Sequence, residues 1–222
     1  MGIKLINKDI INNYMNELIE LMKTRRSIRK YLSSPVKWDD ILQILNAAHY
    51  APSSGNQQSW QFIVIEDKKR IKEIANACFD QAWIETAPVI IAVIADIRKT
   101  SRLYGIRGER LYAIQECAAA IQNMLLMAEN IGIGGCWVGA FDEKMMHIAL
   151  DAPDSVRVQA IVTLGYPDEK PPEPSKIDLR HIVYYEKYGG LFRDAKFFPL
   201  ENIMTKFTKA KSRVVSRIKT RK

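Results

Sequence analysis

The sequence predicts an α+β protein, on three observations. Helical and strand-like patterns interleave along the chain, yet their connections vary in length and no regular βαβ series emerges. An uninterrupted apolar run over residues 87–95 suits a strand covered on both faces. A helical pattern over residues 112–130 is hydrophobic nearly all round, as a buried central helix requires. With 222 residues, 47% of them hydrophobic and 26% charged, the chain can bury a sizeable core, which excludes a disordered or fibrous protein.

Taken in order, Ile11, Met15, Leu18, Leu21 and Met22 fall on one face of a helix over residues 10–24. The same spacing recurs from Trp38 and predicts a second helix over residues 37–48, stopped by the polar, turn-rich segment 52–58. Phe62-Ile-Val-Ile-Glu, rich in β-branched residues, reads as a strand; residues 68–78 read as a helix and 88–95 as the covered strand. Gly132, Gly134 and Gly135 end the central helix. A short strand at 135–138 and a firm one at 156–165 follow. Residues 167–174 form an acidic, proline-rich connector, and residues 182–185 read as a last short strand. One domain is expected over residues 1–201, with a basic tail over 202–222.

The net charge of +8 belongs to that tail. Eight of the 33 basic residues lie in 202–222, which hold no acid, so the remainder balances 25 basic against 25 acidic residues. Nucleic acid is therefore not expected as the ligand of the body. Ile203, Phe207, Val214, Val215 and Ile218 fall near one face of a tail helix. Such a helix suits contact with an acidic membrane surface or nucleic acid; the plainer alternative is an arm on a partner subunit or a solvated end. Residues 1–30 are broken by charges throughout and offer no secretory signal, and the longest apolar run falls far short of the roughly 20 residues of a membrane span. Cys78, Cys117 and Cys136 are too scattered for a disulfide framework, so reduced thiols and a cytoplasmic location are expected.

Three segments offer chemistry. Arg25, Arg26, Arg29 and Lys30 crowd around Ser27, a seat for a phosphomonoester or, more plainly, a helix end with cations near its C-terminal dipole. Ala51-Pro-Ser-Ser-Gly-Asn-Gln-Gln-Ser-Trp-Gln-Phe packs donors and acceptors onto a loop between two rigid elements, where its amides could read the edge of a planar heterocycle. The alternative is a loop that satisfies its own backbone. Gly132-Ile-Gly-Gly-Cys-Trp-Val-Gly-Ala-Phe allows close backbone approach to a flat ligand, but its glycines follow a helix and precede a strand, so it is not a dinucleotide fingerprint. The three histidines have no metal-ligand spacing with the cysteines, and no nucleophile motif is present. Trp60 and Trp83 read as core aromatics. Glu116 stands out: a carboxylate within so apolar a helix must find a partner or shift its proton affinity.

These segments, in this order and together with Gln122-Asn-Met-Leu-Leu-Met-Ala and Leu164-Gly-Tyr-Pro, resemble the nitroreductase family of FMN-dependent oxidoreductases over roughly residues 20–190. The resemblance implies a central, mostly antiparallel sheet flanked by helices and an intertwined homodimer with FMN at the subunit interface. It implies that Arg25, Arg26, Ser27 and Arg29 hold the FMN phosphate and ribityl end. Pro52, Ser53, Ser54 and Asn56 would line the flavin from the partner subunit, while Trp137, Val138 and Gly139 pass along its ring. Gln81 would reach the ring edge, and Lys176 or Arg180 would complete the phosphate site. The sequence departs from the family at Glu116, where Asp is common, and at Ser59, where proline is common. The implied activity is electron transfer from NADH or NADPH to an electron-poor small molecule, a nitroaromatic or quinone, by ping-pong use of one pocket. No catalytic residue of the protein's own is required. A dehalogenase or flavin-fragmenting enzyme of the same fold, or a non-catalytic FMN-binding protein, are the alternatives.

Overall fold

The computed structural model describes residues 17–190. The basic tail therefore lies outside the described residues, as do the first turns of the helix expected from residue 10. The chain divides into two compact units, Met1–Glu173 and Pro174–Lys222.

In the first unit, α1 is described over residues 17–24. It is followed by α2 (Trp38–His49), β1 (Trp60–Ile65), α3 (Lys68–Ala77), β2 (Val89–Ala95) and α4 (Ile97–Arg107). Next come α5 (Ala113–Asn130), β3 (Gly134–Val138), α6 (Glu143–Ala149) and β4 (Arg157–Gly165). The strands form one antiparallel sheet in the order β1-β2-β4-β3. The expected antiparallel sheet flanked by helices is thus present.

Alternation along β2 makes the sheet the middle of three layers. Val89, Ile91, Val93 and Ala95 face α2 and α5, together with Ala160, Val162 and Leu164 of β4. Ile90, Ala92 and Ile94 face the opposite way and pack with α3, α6 and the turn at Ile84. Every residue of β2 is buried, which is why its sequence lacks polar alternation.

Two helices had no counterpart in the sequence expectations, α4 and α6. Both begin at an aspartate whose carboxylate accepts a helix N–H: Asp96 from Arg98, and Asp142 from Met145. The α4 helix is broken at Gly105 (φ 55°, ψ −142°) and leads through a π-turn at Gly108–Tyr112 into α5.

The second unit is described over residues 174–190 and contains a single 3-10 turn, Leu179–His181. The strand expected at residues 182–185 is not formed. Residues 182–185 follow the 3-10 turn in irregular backbone, and β-branched composition does not by itself make a strand.

Candidate functional site

The chain leaves α1 at Thr24 and runs extended beside the outer strand β3. Ser27 bridges Gly135 in parallel, and the Ile28 N–H donates to the Gly135 carbonyl at 3.1 Å. Further on, the Leu32 N–H donates to the Tyr166 carbonyl at 2.9 Å. Extended backbone sends alternate side chains to opposite sides. Ile28 is buried on one side, while Arg25, Ser27 and Arg29 all act on the thiol of Cys136 from the other. Burial pushes that thiol up; Arg29, a Ser27 hydrogen bond and Arg25 pull it back, while the Glu169 carboxylate adds slightly to the rise.

Arg25 and Arg29 are poised for an anion. Among the described residues neither guanidinium makes an ion pair or donates a hydrogen bond; Arg29 lies 5.8 Å from the centroid of the Trp83 ring. The indole N–H of Trp83 donates to Gln81 Oε1 at 3.2 Å, which brings Gln81 into the same neighbourhood. Lys30 is occupied: Asp168 holds it at 2.7 Å, and that hydrogen-bonded pairing raises its pKa. The Glu169 carboxylate accepts the Arg29 backbone N–H.

Arg26 is placed differently from its neighbours. Its guanidinium turns back to the end of α1 and donates to the carbonyls of Lys23, Thr24 and Arg25, while its buried Nε–H has no partner. One member of the basic cluster therefore caps a helix, as the dipole reading allowed, while two remain available.

The loop 52–58 has its own scaffold. Glu116, only 3% exposed, accepts through Oε1 from the Ser54 N–H at 2.9 Å and from the Ser54 hydroxyl. Its Oε2 accepts from the Ser59 N–H at 3.3 Å and the Ser59 hydroxyl at 2.6 Å. The partner that the sequence demanded for this acid is thus the loop itself. Ser53 Oγ accepts the Gln58 N–H at 3.1 Å, while Pro52 and Asn56 are exposed. Tyr104 lies over Gly55, where an added Cβ would meet its hydroxyl at 2.5 Å.

On β3, Trp137 is 41% exposed, Val138 is buried, and Gly139 leaves its Cβ position 3.7 Å from the Trp137 indole nitrogen. In the second unit Lys176 is exposed and Arg180 is tied by two nitrogens to the carboxylate of Asp178, holding that acid well below the usual carboxylate range.

Arg25, Ser27, Arg29, Gln81 and Cys136 are brought together, but the loop 52–58 is not among them. The arginines border β3, whereas the loop enters β1 at the far edge, three strand spacings or roughly 14 Å away. They also sit at opposite ends of the sheet. Gly135 pairs with Leu164 and through it with Val89, while Trp60 pairs with Ala95, six residues further along β2. The diagonal is roughly 25 Å. Trp83, Tyr104 and Glu169 went unrecognised as parts of these neighbourhoods, because their partners lie far away in sequence.

Comparison with known proteins places this geometry in a family. The Nitroreductase family model matches residues 22–86 and 77–166. A protein of Archaeoglobus fulgidus, whose name proposes an NADH dehydrogenase/NAD(P)H nitroreductase, is 37% identical over 161 residues, covering 70% of this chain and 89% of its own. An FMN reductase [NAD(P)H] of Bacillus subtilis is 27% identical, with 78% of this chain and 75% of its own length covered. The solved structure of an FMN-dependent nitroreductase from Clostridium difficile superposes with a TM-score of 0.66 at 27% identity, over 76% of this chain and 99% of that one. With a matched family model spanning both the Arg25–Arg29 segment and the sheet it rests on, this chain belongs to the nitroreductase family.

Proposed function

We propose that the protein is an FMN-dependent NAD(P)H oxidoreductase acting on an electron-poor small molecule such as a nitroaromatic or quinone. The observation that carries this reading is the pair of unpaired guanidiniums, Arg25 and Arg29, converging with Ser27 beside β3. A phosphomonoester of about −1.5 to −2 charge suits two guanidiniums and a hydroxyl, so these residues fit the FMN phosphate. The names of the relatives and of the solved structure support the same cofactor and donor.

FMN, when bound, supplies the hydride and electron chemistry, accepting from NADH or NADPH and passing on to the acceptor. The residues of the chain bind and orient it. Arg25, Ser27 and Arg29 anchor the phosphate and ribityl end. Gln81, fixed by Trp83, reaches the ring edge; Trp137, Val138 and Gly139 border the ring. Pro52, Ser53, Ser54 and Asn56 come from a second copy, since one sheet keeps the loop and the arginines roughly 25 Å apart. The site is thus built across an intertwined homodimer. Donor and acceptor use one pocket in turn, which gives ping-pong kinetics. Among the described residues no helix is long and apolar enough to cross a membrane, and we place the enzyme in the cytoplasm.

An absorption spectrum of the purified protein, followed by anaerobic titration with NADH and NADPH, tests this directly. A yellow dimer bleached by one of the two nucleotides, and reoxidised by a quinone or nitroaromatic, is expected. Bound FMN that neither nucleotide bleaches would leave a binding protein; colourless protein that ignores added FMN would end the proposal.

A further inference from the structure

We propose that Glu116 is a positioning residue for the flavin site: its two carboxylate oxygens clamp Ser54 and Ser59 and so hold the loop between them in its ligand-presenting form. This deepens, and rests on, the reading that residues 52–56 line FMN.

The loop needs such a clamp. Gly55, Asn56 and Gln58 all sit in the left-handed region, at φ 52°, 58° and 48°. For Asn56 and Gln58, which carry Cβ atoms, that conformation is uphill and persists only where the surroundings enforce it. Within the loop, two turn bonds (Asn56 N–H to the Ser53 carbonyl, Gln57 N–H to the Ser54 carbonyl) and Gln58 N–H to Ser53 Oγ are joined only by exposed amide bonds, Gln57 Nε2 to the Gly55 carbonyl and Gln58 Nε2 to Asn56 Oδ1. None of them ties the loop to the rest of the fold. Glu116 is the fixed point. It projects from α5, the central helix, and Ala113 and Ala120, one turn before and after it on the same face, are fully buried. Each oxygen takes one N–H and one hydroxyl, Oε1 from Ser54 and Oε2 from Ser59, so the two ends of the strained stretch are tied to one rigid group.

The same bonds assign different roles within the loop. The Ser54 hydroxyl is committed inward to Glu116 and is an anchor. Ser53, whose oxygen accepts the Gln58 N–H and whose own proton remains available, and the exposed Asn56 are the groups left to face a ligand.

The test compares Glu116→Gln, Ser54→Ala with Ser59→Ala, and Glu116→Asp in the full-length protein. FMN dissociation constants, amide exchange at residues 53–59 and thermal melting are measured for each. In Glu116→Gln one acceptor oxygen becomes a donor facing donors. Faster exchange at Ser54 and Ser59 is expected, with FMN bound at least ten-fold more weakly and the fold retained. The double serine variant, which spares the helix, should show the same pairing of effects should Glu116→Gln fail to fold. Glu116→Asp, which keeps both oxygens, should recover part of the affinity. FMN affinity within two-fold of the parent in a variant whose loop exchanges faster would overturn the positioning role and leave the FMN reading intact. A parent protein that binds no FMN would instead overturn the reading on which the role rests.

Discussion

Among the described residues the guanidiniums of Arg25 and Arg29 make no ion pair, whereas Arg70, Arg98, Arg157 and Arg180 are each held by a carboxylate. Replacing either Arg25 or Arg29 by alanine should weaken FMN binding by about ten- to hundred-fold, the worth of a charge-assisted hydrogen bond of about 1.5–3 kcal/mol. Arg26→Ala should instead act mainly on stability, because its guanidinium serves the end of α1; fluorescence titration with FMN separates the two. Asp96 shows the pH behaviour of a paired carboxylate. Its hydrogen bond to the Arg98 side chain holds its pKa below the ordinary value, against the smaller opposing pull of burial. A depressed folded-state pKa stabilises above the ordinary carboxylate pKa and loses that contribution as pH falls through the folded value. Arg98 is 67% exposed, so the pair is worth under about 1 kcal/mol. Urea unfolding of the parent and Asp96→Asn should therefore differ slightly at pH 7 and converge below pH 4, in the acid range where the unfolded carboxylate protonates. At this scale the sequence showed which groups could bind an anion; it could not show that Arg26 turns away, because a helix end and a phosphate make the same local demand on a guanidinium.

Element formation was legible wherever burial imposed a pattern. The all-apolar β2 and the amphipathic α2 and α3 follow from period-two and 3.6-residue spacing, and their boundaries fall within a few residues of expectation. The short helices α4 and α6 were missed because they bury little: only Thr100 in α4, and Met146 and Ala149 in α6. Their Asp96 and Asp142 caps were the signal available. The expected strand at 182–185 failed for the converse reason, since apolar composition does not supply a neighbour. Where an element must pass close to another, glycine is required. A Cβ at Gly134 would meet Ile28 Cγ1 at 2.8 Å and Pro167 Cγ at 2.9 Å. Gly134→Ala should cost about 1–3 kcal/mol, the usual price of overpacking. Because Ile28 belongs to the segment that carries the arginines, the variant should also weaken FMN binding, which thermal melts with and without FMN would reveal.

For the whole molecule, the sheet order decides where the halves of the site can meet. With β1 and β3 as opposite edges, the arginines and the loop 52–58 of one chain lie too far apart to share one flavin, so the proposed site requires a two-fold partner that supplies the loop. A dimer of an Arg25→Ala/Arg29→Ala chain with an Asn56→Ala/Ser53→Ala chain then regenerates one intact site of two. Co-expressed and isolated by dual tags, it should recover up to about half the parent's turnover, while either variant alone stays low; no recovery would place both sets within one chain. The sequence by itself determined the family, the elements that carry a buried face and the residue types able to hold an anion and a flat ring, because burial periodicity and side-chain chemistry are local properties. Only the tertiary structure decided that Arg26 caps a helix, that Glu116 is satisfied by the loop it braces, and that arginines and loop stand roughly 25 Å apart, because each depends on strand order and on partners distant in sequence, which no local pattern encodes.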